Sequence, residues 1–132
     1  MPTKAVLIVE DDQDIRESLA EILQEEGYEV LLAENGQVAL DLLLEARTRD
    51  VPCCILLDLM MPIMGGVEFL LTIQSRHREE LAKIPVIIAT AKGSANPTRA
   101  ELPAHAGFVR KPIDLDALFE AIKSCCWDNG HP

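Results

Sequence analysis

Cys54-Ile55-Leu56-Leu57-Asp58-Leu59-Met60-Met61-Pro62 is an apolar run that carries one carboxylate and closes on a proline, with Gly65-Gly66 just beyond. Its apolar residues follow one another without alternation. Such a run suits a strand buried on both faces, as in a parallel sheet covered by helices. The proline and glycines stop the strand and free the backbone to turn. Asp58 therefore falls at the carboxyl edge of a sheet, the edge where ligands and chemistry collect in open parallel folds.

Outward from this strand the chain alternates strand and helix. Val6-Leu7-Ile8-Val9 is a β-branched-rich strand, and beyond Glu10-Asp11-Asp12 the residues Ile15, Leu19, Ile22 and Leu23 recur at helical spacing until Gly27. Val30 to Ala33 reads as the second strand, and Asn35 is placed to cap a helix carrying Val38, Ala39, Leu42 and Leu43. Pro52 precedes the third strand. After Gly66 a helix carries Val67, Leu70, Leu71 and Gln74, and Pro85 to Thr90 is a fourth strand ending in a hydroxyl. Asn96-Pro97 can start a helix, but Pro103 limits it, so the fourth helix is expected to be short or irregular. Gly107 to Arg110 is a brief fifth strand. Asp114 then caps a last helix with Leu115, Leu118, Phe119 and Ile122 on one face, Ile113 and Leu118 having the spacing of a hydrophobic staple. Five strand-helix repeats imply a doubly wound α/β sandwich in three layers, with a five-stranded parallel sheet and helices on both faces. Strand order stays open.

The length of 132 residues fits one domain, 1–132, with a core over about 4–125 and a tail over 126–132 that includes Trp127. The first apolar run is too short for a signal peptide, and none reaches the roughly twenty residues of a membrane span, so a cytoplasmic protein without membrane contact is expected. Cys53-Cys54 and Cys125-Cys126 have spacings of neither a zinc site nor a disulfide framework. They are expected to be reduced, small apolar residues. A net charge of -10 argues against direct nucleic-acid binding. His77, His105 and His131 do not cluster and read as solvated residues.

Superposed at one sheet edge, the strand ends contribute Glu10, Asp11, Asp12, Asp58, Thr90 and Lys111. Carboxylates gathered there repel one another unless a cation compensates. Mg²⁺, or Mn²⁺ in its place, is a hard ion that takes oxygen ligands, keeps waters and accepts a phosphoryl oxygen. The plainer reading is that these acids are solvated residues at helix N-termini, and for Asp12 that reading is preferred. A carboxylate beside a divalent ion, a Lys and a Thr hydroxyl make a phosphoryl-transfer site: Asp58 as nucleophile, Lys111 and the ion on the phosphoryl oxygens, Thr90 donating to one of them.

Val9-Glu10-Asp11-Asp12, Leu56 to Pro62 with Gly65, Ala89-Thr90-Ala91 and Lys111-Pro112 follow one another on the matching strand ends. In this order they resemble the receiver domain of two-component response regulators, of the stand-alone CheY-like kind, over nearly the whole chain. The resemblance implies a flavodoxin-like fold with five helices. It also implies Asp58 as phosphoacceptor, Glu10 and Asp11 as the acidic metal pair, the backbone carbonyl of Met60 as a further metal ligand, Thr90 as switch hydroxyl and Lys111 as phosphate-binding lysine. It implies a cis Lys111–Pro112 bond, and Phe108 as the aromatic partner of Thr90 in a conformational switch, beside which Phe108 as ordinary core stands equally. The implied partner is a histidine kinase or phosphotransfer protein, and an unknown downstream protein reads the switch.

The chain departs from the pattern between Thr90 and Lys111, where Pro97 and Pro103 put dimerisation through the fourth helix in doubt, and a monomer or weak homodimer is expected. Met60 and Lys92 occupy positions which, by the resemblance, tune hydrolysis of the acyl phosphate, and an apolar Met60 implies a long-lived phosphorylated form. A haloacid-dehalogenase-like phosphohydrolase would need a second acid where Met60 stands. A flavodoxin-like cofactor module would need a phosphate cradle where Glu10-Asp11-Asp12 stands. A receiver that docks without being phosphorylated is the remaining alternative.

Overall fold

The computed structural model describes residues 4–45, 51–58, 84–91, 107–111 and 114–128, with backbone alone for 90–91, 107–111 and 127–128. Five strands form one sheet: β1 (Ala5–Val9), β2 (Glu29–Ala33), β3 (Cys54–Asp58), β4 (Val86–Ala91) and β5 (Gly107–Lys111). All neighbouring pairs are parallel and the order is β2-β1-β3-β4-β5. Helices α1 (Gln13–Glu25), α2 (Gly36–Glu45) and α3 (Leu115–Lys123) are described, and α3 runs on into a π-helical turn, Ser124–Asp128. The doubly wound parallel architecture is the expected one. The third helix after Gly66 and the short fourth helix lie outside the described residues.

Residues of the central strands alternate between two cores. Leu7, Val9, Ile55, Leu57 and Ile88 pack with Ala39, Leu40 and Leu43 of α2. Val6, Ile8, Cys54, Leu56 and Ile87 pack with Leu19, Ala20 and Leu23 of α1 and with Leu118 and Ile122 of α3. Every residue of β3 is buried. Its unbroken apolar run is thus explained by two half-strands, each serving its own core.

The helix boundaries follow from local chemistry. Asp12 caps α1, its Oδ1 accepting from the Ile15 N–H at 3.0 Å. Asn35 does the same for α2 through the Val38 N–H at 2.9 Å, and Asp114 caps α3 through the N–H groups of Asp116 and Ala117. At the far end of α1, Gly27 has φ +95°, its N–H donates to Gln24 and the Tyr28 N–H donates to Leu23. These two bonds satisfy the last carbonyls of α1 in a Schellman motif, which needs the left-handed residue that glycine supplies.

One expectation is corrected. Cys53 and Cys126 are joined by a disulfide across 73 residues, with Cα atoms 5.2 Å apart. The four cysteines are not merely reduced apolar filler; only Cys54 and Cys125 are free, and both are buried. Sequence spacing could not disclose the link, because it depends on how the turn after α3 folds back on the start of β3. That turn extends ordered structure through Asp128, and Cys126 within it is fully buried.

Candidate functional site

The order β2-β1-β3 has a physical consequence. From β1 the chain proceeds outward to β2, whereas from β3 it proceeds the other way to β4. The strand order thus reverses between β1 and β3, a topological switch point, and the carboxyl edge beside it is the usual ligand position in such sheets. Val9 pairs with Leu57, so Glu10, one residue on, comes level with Asp58. Asp58 pairs in turn with Ala89, Thr90 with Arg110 and Ala91 with Lys111. Sheet register alone therefore brings Glu10, Asp58, Thr90 and Lys111 to one edge.

Carboxylate oxygens of Glu10, Asp11 and Asp58 all lie within 4.8 Å of one another. Glu10 is 3% exposed and Asp58 6%, while Asp11 faces solvent. Two buried carboxylates and a third at their side form an all-oxygen donor set for a hard cation, with the exposed acid leaving room for water ligands. The residues therefore fit a Mg²⁺ or Mn²⁺ ion. Asp12 points elsewhere, into the N-terminus of α1, which agrees with its reading as a capping residue.

Sequence reading missed Arg16. Its Nη1 donates to the Glu10 carbonyl at 2.9 Å and reaches the Asp11 carbonyl at 3.4 Å. The Asp12 N–H donates to Glu10 Oε2 at 3.2 Å, and the Glu10 N–H donates to the Ala33 carbonyl at 3.1 Å. The acidic loop is thus pinned from α1, from its own backbone and from β2. A basic residue in the first turn of a helix that follows three acids was the available signal, since that turn folds back over the strand end. The side chains of Thr90, Phe108 and Lys111, and all of Met60, Lys92, Pro112, His77, His105 and His131, lie outside what is described.

The family profile for the response regulator receiver domain matches residues 6–123. The chain belongs to the response regulator receiver domain family. Among similar proteins is sporulation initiation phosphotransferase F of Bacillus subtilis, 37% identical over 125 residues that cover 93% of this chain and 94% of that protein. Response regulator MprA of Mycolicibacterium vanbaalenii is 34% identical over 94% of this chain but 50% of its own length. This receiver domain thus spans about half the length of the first response regulators it matches. Among solved structures, the signal receiver domain of a histidine kinase from Syntrophus aciditrophicus superposes with a TM-score of 0.83 at 27% identity, covering 98% of this chain and 95% of that one. Chemotaxis protein CheY4 of Vibrio cholerae gives 0.78 at 26% identity, covering 93% and 98%. The receiver domain family serves two-component signal transduction, and the flavodoxin-like, CheY-like fold expected from sequence is the one found. Among the described residues no helix is long and apolar enough to cross a membrane.

Proposed function

We propose that this receiver domain accepts a phosphoryl group on Asp58 from a phosphohistidine of a histidine kinase or phosphotransfer protein, and that the phosphorylated form changes partner binding. The observation that carries the reading is the buried Asp58 carboxylate, held within 4.8 Å of Glu10 and Asp11 at the open end of β3. An oxygen of Asp58 attacks phosphorus, the phosphorus–nitrogen bond of the donor breaks, and its electron pair returns to the imidazole. Glu10, Asp11 and Asp58, with the Met60 carbonyl, would hold Mg²⁺ or Mn²⁺. When bound, the ion supplies charge neutralisation at the phosphoryl oxygens. Lys111 binds a phosphoryl oxygen and the Thr90 hydroxyl donates to another. Strand register supports both roles, since Thr90 lies one residue beyond the partner of Asp58 and Lys111 stands level with Ala91.

Movement of Thr90 toward the acyl phosphate, followed by Phe108, is the proposed switch, a shift between two packings that needs a few kcal/mol of differential interaction. The protein acts in the cytoplasm as a signalling domain, assisting only its own phosphorylation and dephosphorylation. The similarity to a phosphotransferase over nearly that protein's whole length supports a place in a phosphorelay.

Intact mass after incubation with acetyl phosphate, with and without Mg²⁺, tests the reading. One added phosphoryl group that requires Mg²⁺ and is lost in Asp58→Asn is expected. No modification by acetyl phosphate or by a kinase donor, with Mg²⁺ binding measured separately, would leave a docking receiver instead.

A further inference from the structure

The carboxylates occupy one end of β3; the cysteines occupy the other. Cys54 is the first residue of β3 and pairs with Val6, whereas Asp58 is the last, roughly 13 Å away along the strand. Cys53 is held beside it by its N–H, which donates to the Ala5 carbonyl at 2.8 Å. Against this corner folds the π-helical turn after α3, bringing Cys125 and Cys126. Cys126 is bonded to Cys53, and Cys54 and Cys125 lie together in the same buried cluster. Interaction with Cys125, with burial, pushes the Cys54 thiol up, while interaction with Cys54 draws Cys125 down. Four sulfurs thus stand in two facing pairs, and three of them are sealed from solvent: Cys54 and Cys126 are fully buried and Cys125 nearly so. Only Cys53 is half-buried.

We propose that Cys53 and Cys126, packed with the thiols of Cys54 and Cys125, form a thiol–disulfide exchange site, in which reversible reduction of the Cys53–Cys126 bond by a small-molecule thiol unfastens the C-terminal turn and α3 from β3. An external thiolate attacks Cys53 Sγ, the sulfur of the less buried residue of the pair. The disulfide breaks, its electron pair leaves on Cys126 Sγ, and that sulfur takes a proton. A second external thiol attacks the outer sulfur of the mixed disulfide and releases Cys53 as a thiol. Two thiols have become one disulfide, and the protein has gained two electrons and two protons. Cys54 and Cys125 stay as thiols throughout, packed between sheet and helix, where they keep the cluster dry. A bond across 73 residues restricts the unfolded chain strongly, so its reduction is felt by the whole fold.

The native chain, equilibrated in mixtures of glutathione and glutathione disulfide, acid-quenched, alkylated in denaturant and mapped by mass spectrometry, tests the proposal. Two adducts, on Cys54 and Cys125, are expected at the oxidising end, and four at the reducing end. Reduction should lower the thermal midpoint by on the order of 10 °C. It should also speed amide exchange over Leu115–Lys123 while leaving β1 protected. Cys53→Ser and Cys53→Ala should take three adducts at every ratio and match the reduced native chain in midpoint and exchange. The proposal is overturned by two adducts or four adducts at every ratio, by any other pairing, or by reduction that moves neither the midpoint nor the exchange. It is overturned equally by a glutathione-dependent shift that survives in either variant.

Discussion

Glu10 and Asp58 stand level at the carboxyl ends of two adjacent parallel strands, and both are almost wholly buried. Burying one carboxylate is costly and burying two side by side is more so, unless a cation or several donors compensate. With Asp11 beside them, they put three carboxylates at one edge of the sheet.

Asp58→Asn removes one of three neighbouring negative charges. Without divalent ions it should raise stability by about 1 kcal/mol, and it should abolish the further gain that Mg²⁺ gives the native chain. Urea unfolding with and without Mg²⁺ reads both effects. Equal Mg²⁺ stabilisation of the variant would remove Asp58 from the metal centre.

Arg16 positions the acidic loop through carbonyl oxygens, so it would act on a bound metal only through that loop. Arg16→Ala should weaken Mg²⁺ binding by about five- to tenfold, the worth of roughly 1 kcal/mol in loop order. Arg16→Lys should recover part of it. Titration calorimetry decides; unchanged affinity in Arg16→Ala would make the guanidinium a surface group only.

At Gly27 a methyl group would meet nothing within 4 Å, yet φ is +95°. The cost of Gly27→Ala is therefore purely conformational, about 1 kcal/mol. Asn35→Ala, which strips the cap of α2 at a buried position, should cost about the same or more. Chemical denaturation with an unchanged m-value is the check, and neutral outcomes would count against both assignments.

Ile55 and Ile122 belong to different cores on opposite faces of the sheet. Ile55→Val and Ile122→Val should each cost about 1 kcal/mol. The double variant should equal their sum within about 0.5 kcal/mol. A larger departure would show that the sheet transmits strain between its faces.

The unbroken run before Asp58 announced a strand buried on both sides, and Asn35, Asp114 and Gly27 announced where helices begin and end. Each of those signals is local: a hydrogen bond two or three residues away, or a φ one residue allows. The edge holding Glu10, Asp11 and Asp58 was legible for the same reason, since parallel strands leave their ends together. Strand order was not, because it depends on which way each crossover turns. Arg16 escaped notice because its partners are backbone carbonyls, which every residue has. The Cys53–Cys126 link escaped because adjacent cysteines carry no trace of what folds against them from 73 residues away.

Because β3 divides its side chains strictly between two cores, it works as a ruler. Inserting or deleting one residue between Cys54 and Asp58 would present each core with the other's side chains and move the terminal carboxylate by one residue's rise, about 3.3 Å. The depth of Asp58 is thus metered by counting residues from the sulfur-bound end.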